Sequence, residues 1–341
     1  IVETEERIDG RLLGMTTDDG RFTLGGESVD VEALQNDWES TLEKVFPTVV
    51  PEIKPEKVEK FTCAERSAVV ANEKFARPRV VIPVFPGTNC EYDTMRRFNA
   101  AGAESEICVL RNLDAKALGE SVDELVSLIN GAQIFMLPGG FSGGDEPDGS
   151  GKFITAFFRN AAVKEEVTAL LERRDGLMCG ICNGFQALIK LGLVPYGRII
   201  DTDASCPTLT FNTIARHQSR IVRVRVASNR SPWLAATQVG DVYSAPISHG
   251  EGKFLASEEL IRQLAANGQI ATQYVDLDGN ATADVHFNPN GSLYAIEGIT
   301  SPDGRVFGKM GHSERIGSGL YKNVPGEYNI RMFEAAVKYF R

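Results

Sequence analysis

The segment from residue 176 to residue 192, GLMCGICNGFQALIKLG, constrains the fold of this chain most, because it predicts a strand, a sharp turn and a helix in immediate succession. Residues 177–179 are apolar and typical of the end of a buried strand. From Phe185 onward, apolar side chains recur at three- and four-residue spacing, which predicts a helix. The sequence therefore predicts one cysteine, Cys182, at the corner between a strand and a helix.

A cysteine at such a corner is typical of an enzyme nucleophile. Gly180 and Gly184 bracket Cys182, and a similar sharp turn carries the nucleophilic serine of G-x-S-x-G enzymes. The positive end of the helix dipole favours a thiolate, and the backbone N–H of Asn183 is well placed to stabilise an oxyanion. Two alternatives remain open: a thiol–disulfide oxidoreductase that uses Cys179 and Cys182, or a catalytically degenerate interaction domain. Zinc is disfavoured, because no second close pair of cysteines or histidines would supply the remaining ligands.

Predicted strands and helices alternate around this corner. The pattern predicts strands over 79–85, 106–110 and 132–137, and helices over 91–101, 122–129 and 154–173. This alternation indicates an α/β fold with a mostly parallel sheet flanked by helices, in which ligands bind at the carboxyl ends of the strands. After residue 199 the pattern predicts mainly strands, with a closing helix over 329–339.

The N-terminal part differs from this pattern. Residues 1–50 predict short strands and turns and then an amphipathic helix over 31–46, with Trp38 on its apolar stripe. This segment is too small to hold a core of its own, so the stripe needs a partner surface. We expect residues 51–77 to be a linker and residues 78–341 to form the main domain. Because the chain does not open with Met, we expect it to be a fragment or a processed product.

Composition excludes several classes of function. The net charge is −10 and no basic run is present, which argues against nucleic acid as a main partner. No apolar run approaches the length of a membrane span, and no signal peptide opens the chain. The six cysteines are scattered rather than paired as in a disulfide framework. We therefore expect a cytoplasmic protein that contacts no membrane.

A cysteine nucleophile needs a histidine to take its proton and a carboxylate to orient that histidine. Of the four histidines, two are followed two residues later by a glutamate: His249 by Glu251, and His312 by Glu314. Either pair would complete a Cys–His–Glu triad. The other two, His217 and His286, lack such a neighbour and are expected to be structural or solvent-facing.

The predicted strand end at residues 138–142 offers a second functional feature. Gly139 and Gly140 allow backbone N–H groups to approach a ligand closely, and with the N–H of Asn183 they would form an oxyanion hole. The alternative is a plain tight turn. The glycine-rich run that follows lacks the G-x-x-x-x-G-K-[ST] order of a phosphate loop, so we do not expect an ATP site there.

The segment 80–341 resembles the class I (triad) glutamine amidotransferase domain of phosphoribosylformylglycinamidine synthases, a flavodoxin-like fold. Five stretches carry the resemblance in the right order: Pro86-Gly87-Thr88-Asn89-Cys90-Glu91, Pro138-Gly139-Gly140-Phe141-Ser142, Cys179-Gly180-Ile181-Cys182-Asn183-Gly184-Phe185-Gln186, Ser248-His249-Gly250-Glu251-Gly252 and Gly311-His312-Ser313-Glu314-Arg315. The chain departs from the family at Ser313, where proline is usual, and at residues 143–147, which form a longer and more acidic loop.

The resemblance implies a role for each matching residue. It implies that Cys182 is the nucleophile, that His312 is its base and that Glu314 orients His312. The remaining implied roles are oxyanion binding by Gly140 and Asn183, contact with substrate glutamine by Gln186, and loop contacts near the site or the synthetase by Asn89, His249 and Glu251. The family implies no metal in this domain.

The resemblance also implies partners. Residues 1–50 resemble the end of the synthetase part of the single-chain enzyme, which uses ATP and Mg²⁺ to convert formylglycinamide ribonucleotide to formylglycinamidine ribonucleotide. This chain would hydrolyse glutamine and supply the ammonia, and it needs no cofactor of its own for that step. We expect the isolated chain to be a poor glutaminase that its synthetase partner activates.

Overall fold

The computed structural model describes residues 2–44, 58–66, 69–145 and 151–341. The chain divides into two compact units, residues 1–52 and residues 53–341. Within the described residues, no helix is both long enough and apolar enough to cross a membrane.

The first unit contains a hairpin and one helix. Strands β1 (Arg21–Leu24) and β2 (Glu27–Asp30) pair antiparallel, and helix α1 (Val31–Ser40) follows directly. The side chain of Asp30 caps the helix by accepting a hydrogen bond from the N–H of Ala33 at 2.8 Å. The helix ends earlier than the predicted residue 46, which lies outside the described residues. None of its side chains is buried.

The second unit is built on a large sheet. Its strands, in chain order, are β3 (Arg79–Val84), β4 (Glu104–Val109), β5 (Ile134–Leu137), β6 (Leu177–Ile181), β7 (Thr208–Phe211), β8 (Gln218–Val226), β9 (Val242–His249), β10 (Glu251–Leu255), β11 (Ile270–Tyr274), β12 (Ile296–Thr300) and β13 (Val306–Lys309). Nine of them form one sheet in the order β4-β3-β5-β6-β13-β12-β11-β8-β9, and β7 pairs with β10. The α/β class is confirmed.

The large sheet is mixed, which refines the expectation of a mostly parallel one. The strands from β4 to β13 pair in parallel, whereas the strands from β13 to β9 pair antiparallel. In the parallel half, helices separate β3, β4, β5 and β6 along the chain, whereas the antiparallel strands β12 and β13 are joined by a short turn. The two halves meet at β13, and the predicted nucleophile follows β6, the parallel neighbour of that strand.

The helices of the second unit are α2 (Glu91–Ala100), α3 (Ala115–Asn130), α4 (Lys152–Phe158), α5 (Ala161–Arg173), α6 (Asn183–Leu191), the one-turn α7 (Leu193–Tyr196), α8 (Glu258–Ala266) and α9 (Met332–Tyr339). The single helix predicted over 154–173 is therefore wrong. Two helices form because Asn160 caps α5: its side-chain oxygen accepts the N–H groups of Ala162 and Val163 at 3.0 and 3.4 Å.

The described part of the predicted linker is packed on the second unit. The N–H of Phe61 donates to the side-chain oxygen of Gln273 at 2.9 Å, and Arg225 donates to the carbonyl of Phe61 at 2.8 Å. The backbone of Cys63 pairs with that of Ser228 in an isolated parallel β-bridge, and the side chain of Phe61 is buried. Residues 58–66 therefore belong to the body of the second unit, which extends it well before residue 78.

Candidate active site

The corner predicted from the sequence is present. Strand β6 ends at Ile181, helix α6 begins at Asn183, and Cys182 between them has φ 52° and ψ −106°. A Cβ atom on Gly184 would lie 2.2 Å from the carbonyl oxygen of Leu137, so the helix can approach the neighbouring strand end only with glycine there. Such a strained, positive-φ cysteine at a helix start is typical of a nucleophile held ready for attack.

His312 lies beside this cysteine. A Cβ atom placed on Gly139 would be 2.6 Å from Cε1 of His312 and 3.4 Å from Cβ of Cys182, so both side chains lie against the same glycine. The N–H of His312 donates to the carbonyl of Pro246 at 2.9 Å, which fixes its backbone to strand β9. The sulfur of Cys182 lies 3.8 Å from the carbonyl oxygen of Ser248 in the same strand. The fold thus brings together residues that are far apart in the sequence.

A buried carboxylate orients the histidine. Nδ1 of His312 is 2.5 Å from Oε1 of Glu314, and both side chains are almost completely buried. Burial alone would lower the pKa of His312, but the carboxylate of Glu314 and the thiols of Cys182 and Cys90 hold it well above its usual range. Burial alone would raise the pKa of Glu314, but the charge of His312 outweighs it and leaves the pKa lowered. Both shifts favour the charged forms of the two side chains, an imidazolium beside a carboxylate.

The turn after β5 contains Gly140, whose backbone N–H is the second predicted oxyanion donor. The N–H of Asn89 donates to the carbonyl of Gly139 at 3.2 Å, and the N–H of Phe141 donates to that of Gly87 at 2.8 Å. These two bonds flank the bridged pair Thr88 and Gly140. In such a pair, the N–H of Gly140 points away from the segment that carries Thr88, an orientation compatible with donation to a ligand.

The side chains of Asn183 and Gln186 link the turn after β5 to the start of strand β10. Oδ1 of Asn183 accepts from the N–H of Ser142 at 3.1 Å, and its Nδ2 donates to Oε1 of Gln186 at 3.0 Å. Nε2 of Gln186 in turn donates to the carbonyl of Glu251 at 2.5 Å. Both ends of the Gln186 amide are thus engaged within the protein. This geometry favours a role in holding the site together over the direct contact with glutamine that was expected.

The second candidate pair has a different environment. His249 ends β9 and is fully buried, and burial together with the charges of His312 and His217 lowers its pKa to about 3. It is therefore neutral at physiological pH and a poor acceptor of the thiol proton. Its Nε2 lies 3.4 Å from the side-chain nitrogen of Asn290. The loop expected at 249–252 is the tight connection between β9 and β10, with Glu251 as the first residue of β10.

The remaining histidines lie outside this cluster. His217 is exposed and interacts with the hydroxyl of Ser248 at 3.0 Å. His286 is exposed and pairs with Asp284 at 2.8 Å. Neither lies beside the buried carboxylate of the site.

Sequence reasoning missed the roles of Cys90 and Arg315. The sulfur of Cys90 lies 3.7 Å from Nδ1 of His312, and the guanidinium of Arg315 donates to that sulfur at 2.9 Å and to Oδ1 of Asn89 at 3.2 Å. Burial raises the pKa of the Cys90 thiol. The available signal was the position of both residues inside shared motifs, with Cys90 directly before helix α2 and Arg315 directly after Glu314.

These residues also contain a possible set of metal ligands. One ligand atom each from Cys90, His312 and Glu314 lies within 4.8 Å of the others. However, Arg315 already contacts the thiol, and His312 already bonds to Glu314. The candidate ligand atoms already bond to one another and to the guanidinium of Arg315, and this positive charge next to the thiol disfavours a metal ion at the same place.

The geometry weakens the redox alternative. Cys179 is in the middle of β6 and fully buried, and burial raises the pKa of its thiol well above the usual value. A disulfide exchange enzyme needs a reactive thiolate that its partner can reach, whereas Cys179 is inaccessible in the core.

Comparisons with known proteins agree with this geometry. The CobB/CobQ-like glutamine amidotransferase domain family matches residues 77–340. Phosphoribosylformylglycinamidine synthase subunit PurQ of Methanococcus maripaludis (strain C7) is 32% identical over 293 residues, which cover 77% of this chain and 97% of that protein. The subunit of the same name from Dehalococcoides mccartyi is 35% identical over 263 residues, covering 75% of this chain and 95% of the relative.

A solved structure extends the likeness to the fold. A chain in the structure of PurLQS from Thermotoga maritima superposes with a TM-score of 0.56 at 26% sequence identity, covering 78% of this chain and 100% of the other. The family match, the relatives and the superposition all fall on the same large part of the chain. The chain therefore belongs to the family of CobB/CobQ-like glutamine amidotransferase domains.

Proposed function

We propose that this chain is the glutaminase part of a phosphoribosylformylglycinamidine synthase and that Cys182, His312 and Glu314 are its catalytic triad. The observation that carries the proposal is the strained cysteine at the start of α6 beside a buried, charged His312–Glu314 pair. The names of these two relatives support the substrate and the pathway. The overall reaction of this part is glutamine and water to glutamate and ammonia.

The first half of the reaction forms a thioester. The sulfur of Cys182 attacks the side-chain amide carbon of glutamine while His312 holds the thiol proton. The N–H groups of Asn183 and Gly140 bind the resulting oxyanion, and each donor contributes roughly 3–4 kcal/mol by comparison with other oxyanion holes. The carbon–nitrogen bond then breaks, and the leaving nitrogen takes the proton from His312 and departs as ammonia.

The second half of the reaction hydrolyses the thioester. Water attacks the γ-glutamyl carbon, His312 takes a proton from it, and the carbon–sulfur bond breaks to release glutamate and the Cys182 thiolate. Glu314 keeps the ring in one orientation through both steps, since its hydrogen bond to Nδ1 leaves the other ring nitrogen for the chemistry.

The proposal includes a synthetase partner. PurQ is named as a subunit in the relatives, and the similar solved chain comes from a PurLQS structure. We assign residues 1–50 to the tail of the synthetase part, with ATP and Mg²⁺ bound in that part and not in this chain. Trp38 on α1 is 78% exposed, which suits contact with further protein. All six cysteines are free, which supports a reducing, cytoplasmic location.

The test is steady-state glutamine hydrolysis by the chain alone and with the synthetase part and its nucleotide ligands. Wild-type protein should hydrolyse glutamine slowly and accelerate when the partner is added, and Cys182→Ala should be inactive in both conditions. Cys206→Ser is the matched control, since that cysteine is partly exposed and outside the site. A rate unchanged by the partner would refute activation, and full activity of Cys182→Ala would refute the triad.

A further inference from the structure

A completely buried ion pair lies next to the segment that carries His312. Nζ of Lys309 is 3.1 Å from Oε1 of Glu297, and the side chains of both residues are 0% exposed. Lys309 is the last residue of β13, and Glu297 lies on the neighbouring antiparallel strand β12. Burying two charges costs free energy that their attraction rarely repays. Stability alone is therefore a weak reason for this pair.

The hydrogen bonds of the pair converge on one residue. Nζ of Lys309 donates to the carbonyl oxygen of Gly311 at 2.6 Å, and the N–H of Gly311 donates to Oε1 of Glu297 at 2.6 Å. The other oxygen of Glu297 accepts from the hydroxyl of Thr272 at 2.5 Å. The two charged side chains thus hold both backbone groups of the residue immediately before His312.

The same lysine is bonded to the nucleophile through its backbone. The carbonyl oxygen of Lys309 accepts from the N–H of Cys182 at 2.9 Å. Lys309 therefore connects to Cys182 by its main chain and to the residue before His312 by its side chain. A displacement of about 1 Å at such a site can lower a catalytic rate 100-fold.

We propose that Lys309 and Glu297 are positioning residues that hold His312 in register with Cys182. This inference rests on the proposed glutaminase function and adds the device that aligns its acid–base group. The hydrogen bonds of the two side chains go to each other, to Gly311 and to Thr272, and not to the side chains of Cys182 or His312. The pair carries no net charge. It acts through the backbone of Gly311, and such rigid support keeps a catalytic pair in its productive geometry.

The test replaces both charges at once. Lys309→Met combined with Glu297→Leu removes the hydrogen bonds to Gly311 without leaving an unpaired buried charge, so the variant should still fold. Its melting temperature should be moderately lower, because the N–H of Gly311 and the hydroxyl of Thr272 lose their acceptor. We expect kcat to fall roughly 10- to 100-fold and KM to change little. The matched control is Arg174→Met with Glu166→Leu. It removes a partly buried ion pair, with an N–O distance of 2.8 Å, between helix α5 and the residues that precede β6. Its kcat should stay near that of the wild type.

A second measurement needs no glutamine. The rate at which iodoacetamide alkylates Cys182, followed by mass spectrometry, reports how reactive the sulfur of Cys182 is beside His312. It should fall in the double variant and not in the control. Gly311→Ala serves as a second variant that displaces the residue before His312, since its Cβ would lie 2.9 Å from Cβ of Ala245, 3.0 Å from Oε1 of Glu297 and 3.1 Å from Nζ of Lys309. It should lower both rates if the double variant does not fold.

The outcomes separate the two proposals. A folded double variant with wild-type kcat and wild-type alkylation overturns the positioning role and leaves the glutaminase intact. If the wild type with its synthetase hydrolyses no glutamine, the glutaminase function fails, and alkylation alone decides whether the pair controls Cys182. A loss confined to melting temperature, with kcat unchanged, shows a structural role only and contradicts the proposal.

Discussion

The substitution Glu314→Gln tests the acid–base pair with the least change in shape. The carboxylate of Glu314 accepts a hydrogen bond from His312 at 2.5 Å in a buried site. Its other oxygen has no hydrogen-bond partner within the described residues, so an amide nitrogen there breaks no contact. A hydrogen bond between charged groups contributes about 1.5–3 kcal/mol. Losing that contribution in the transition state lowers kcat/KM roughly 10- to 150-fold.

The same change shifts the pH dependence. The raised pKa of His312 keeps its ring protonated beyond the usual value, so the alkaline limb of kcat/KM lies well above pH 6.5 in the wild type. Gln cannot attract the imidazolium, and burial then lowers the pKa. Since one pKa unit corresponds to about 1.4 kcal/mol, the limb should move down by about 1–2 pH units in Glu314→Gln.

The assay is initial-rate glutamine hydrolysis across a pH series, with the synthetase present. Asp284→Asn is the matched control, because it removes the carboxylate partner of an exposed histidine, His286, at 2.8 Å. The control should keep the wild-type profile. A Glu314→Gln enzyme with wild-type kcat/KM and an unmoved alkaline limb would refute the reasoning.

Three further predictions concern the turn and the buried groups. Cys182→Ala should abolish glutamine hydrolysis while Cys179→Ser largely preserves it, and equal severe losses in both rates would instead favour the redox alternative. Gly184→Ala should lower the free energy of unfolding by about 1–3 kcal/mol or more in urea titrations, because its Cβ would lie 2.2 Å from the carbonyl of Leu137; an unchanged midpoint would contradict the predicted collision. Burial lowers the pKa of His249 to about 3, so the unfolded state binds its proton first, and stability should fall by about 1.4 kcal/mol per pH unit between pH 6.5 and that value. His249→Asn should lose this part of the acid sensitivity, and an unaltered pH profile of unfolding would show that another group causes it.

Glycine positions and apolar periodicity predicted those parts of the fold that depend on neighbouring residues in the chain. The corner at Cys182 was predictable because two glycines and an apolar strand leave few other conformations. The break between α4 and α5 was not, since it depends on the side chain of Asn160 competing for backbone N–H groups within an apolar pattern that continues across it. Periodicity reports which face is buried but not where a cap interrupts the helix.

Long-range contacts account for what the sequence could not predict. A lysine at a strand end is typical of a solvated surface, yet Lys309 is completely buried because the register of β12 and β13 places Glu297 beside it. Likewise, the engagement of Gln186 with the carbonyl of Glu251 depends on where β10 lies. From spacing alone the two His-x-Glu pairs were equivalent, and the family resemblance favoured His312. In the structure both histidines are buried, and the contact with the carboxylate of Glu314 distinguishes His312 from His249.

The central claim is that Cys182 is the nucleophile that attacks the side-chain amide of glutamine. An electrophilic glutamine analogue, followed by peptide mass spectrometry of the folded chain with its synthetase part, tests it most directly. The account predicts one label, on Cys182, whose formation is slowed by glutamine, is absent in Cys182→Ala and parallels the loss of glutamine hydrolysis. A label on Cys90 or Cys206 that accompanies inactivation, with Cys182 unmodified, would contradict it.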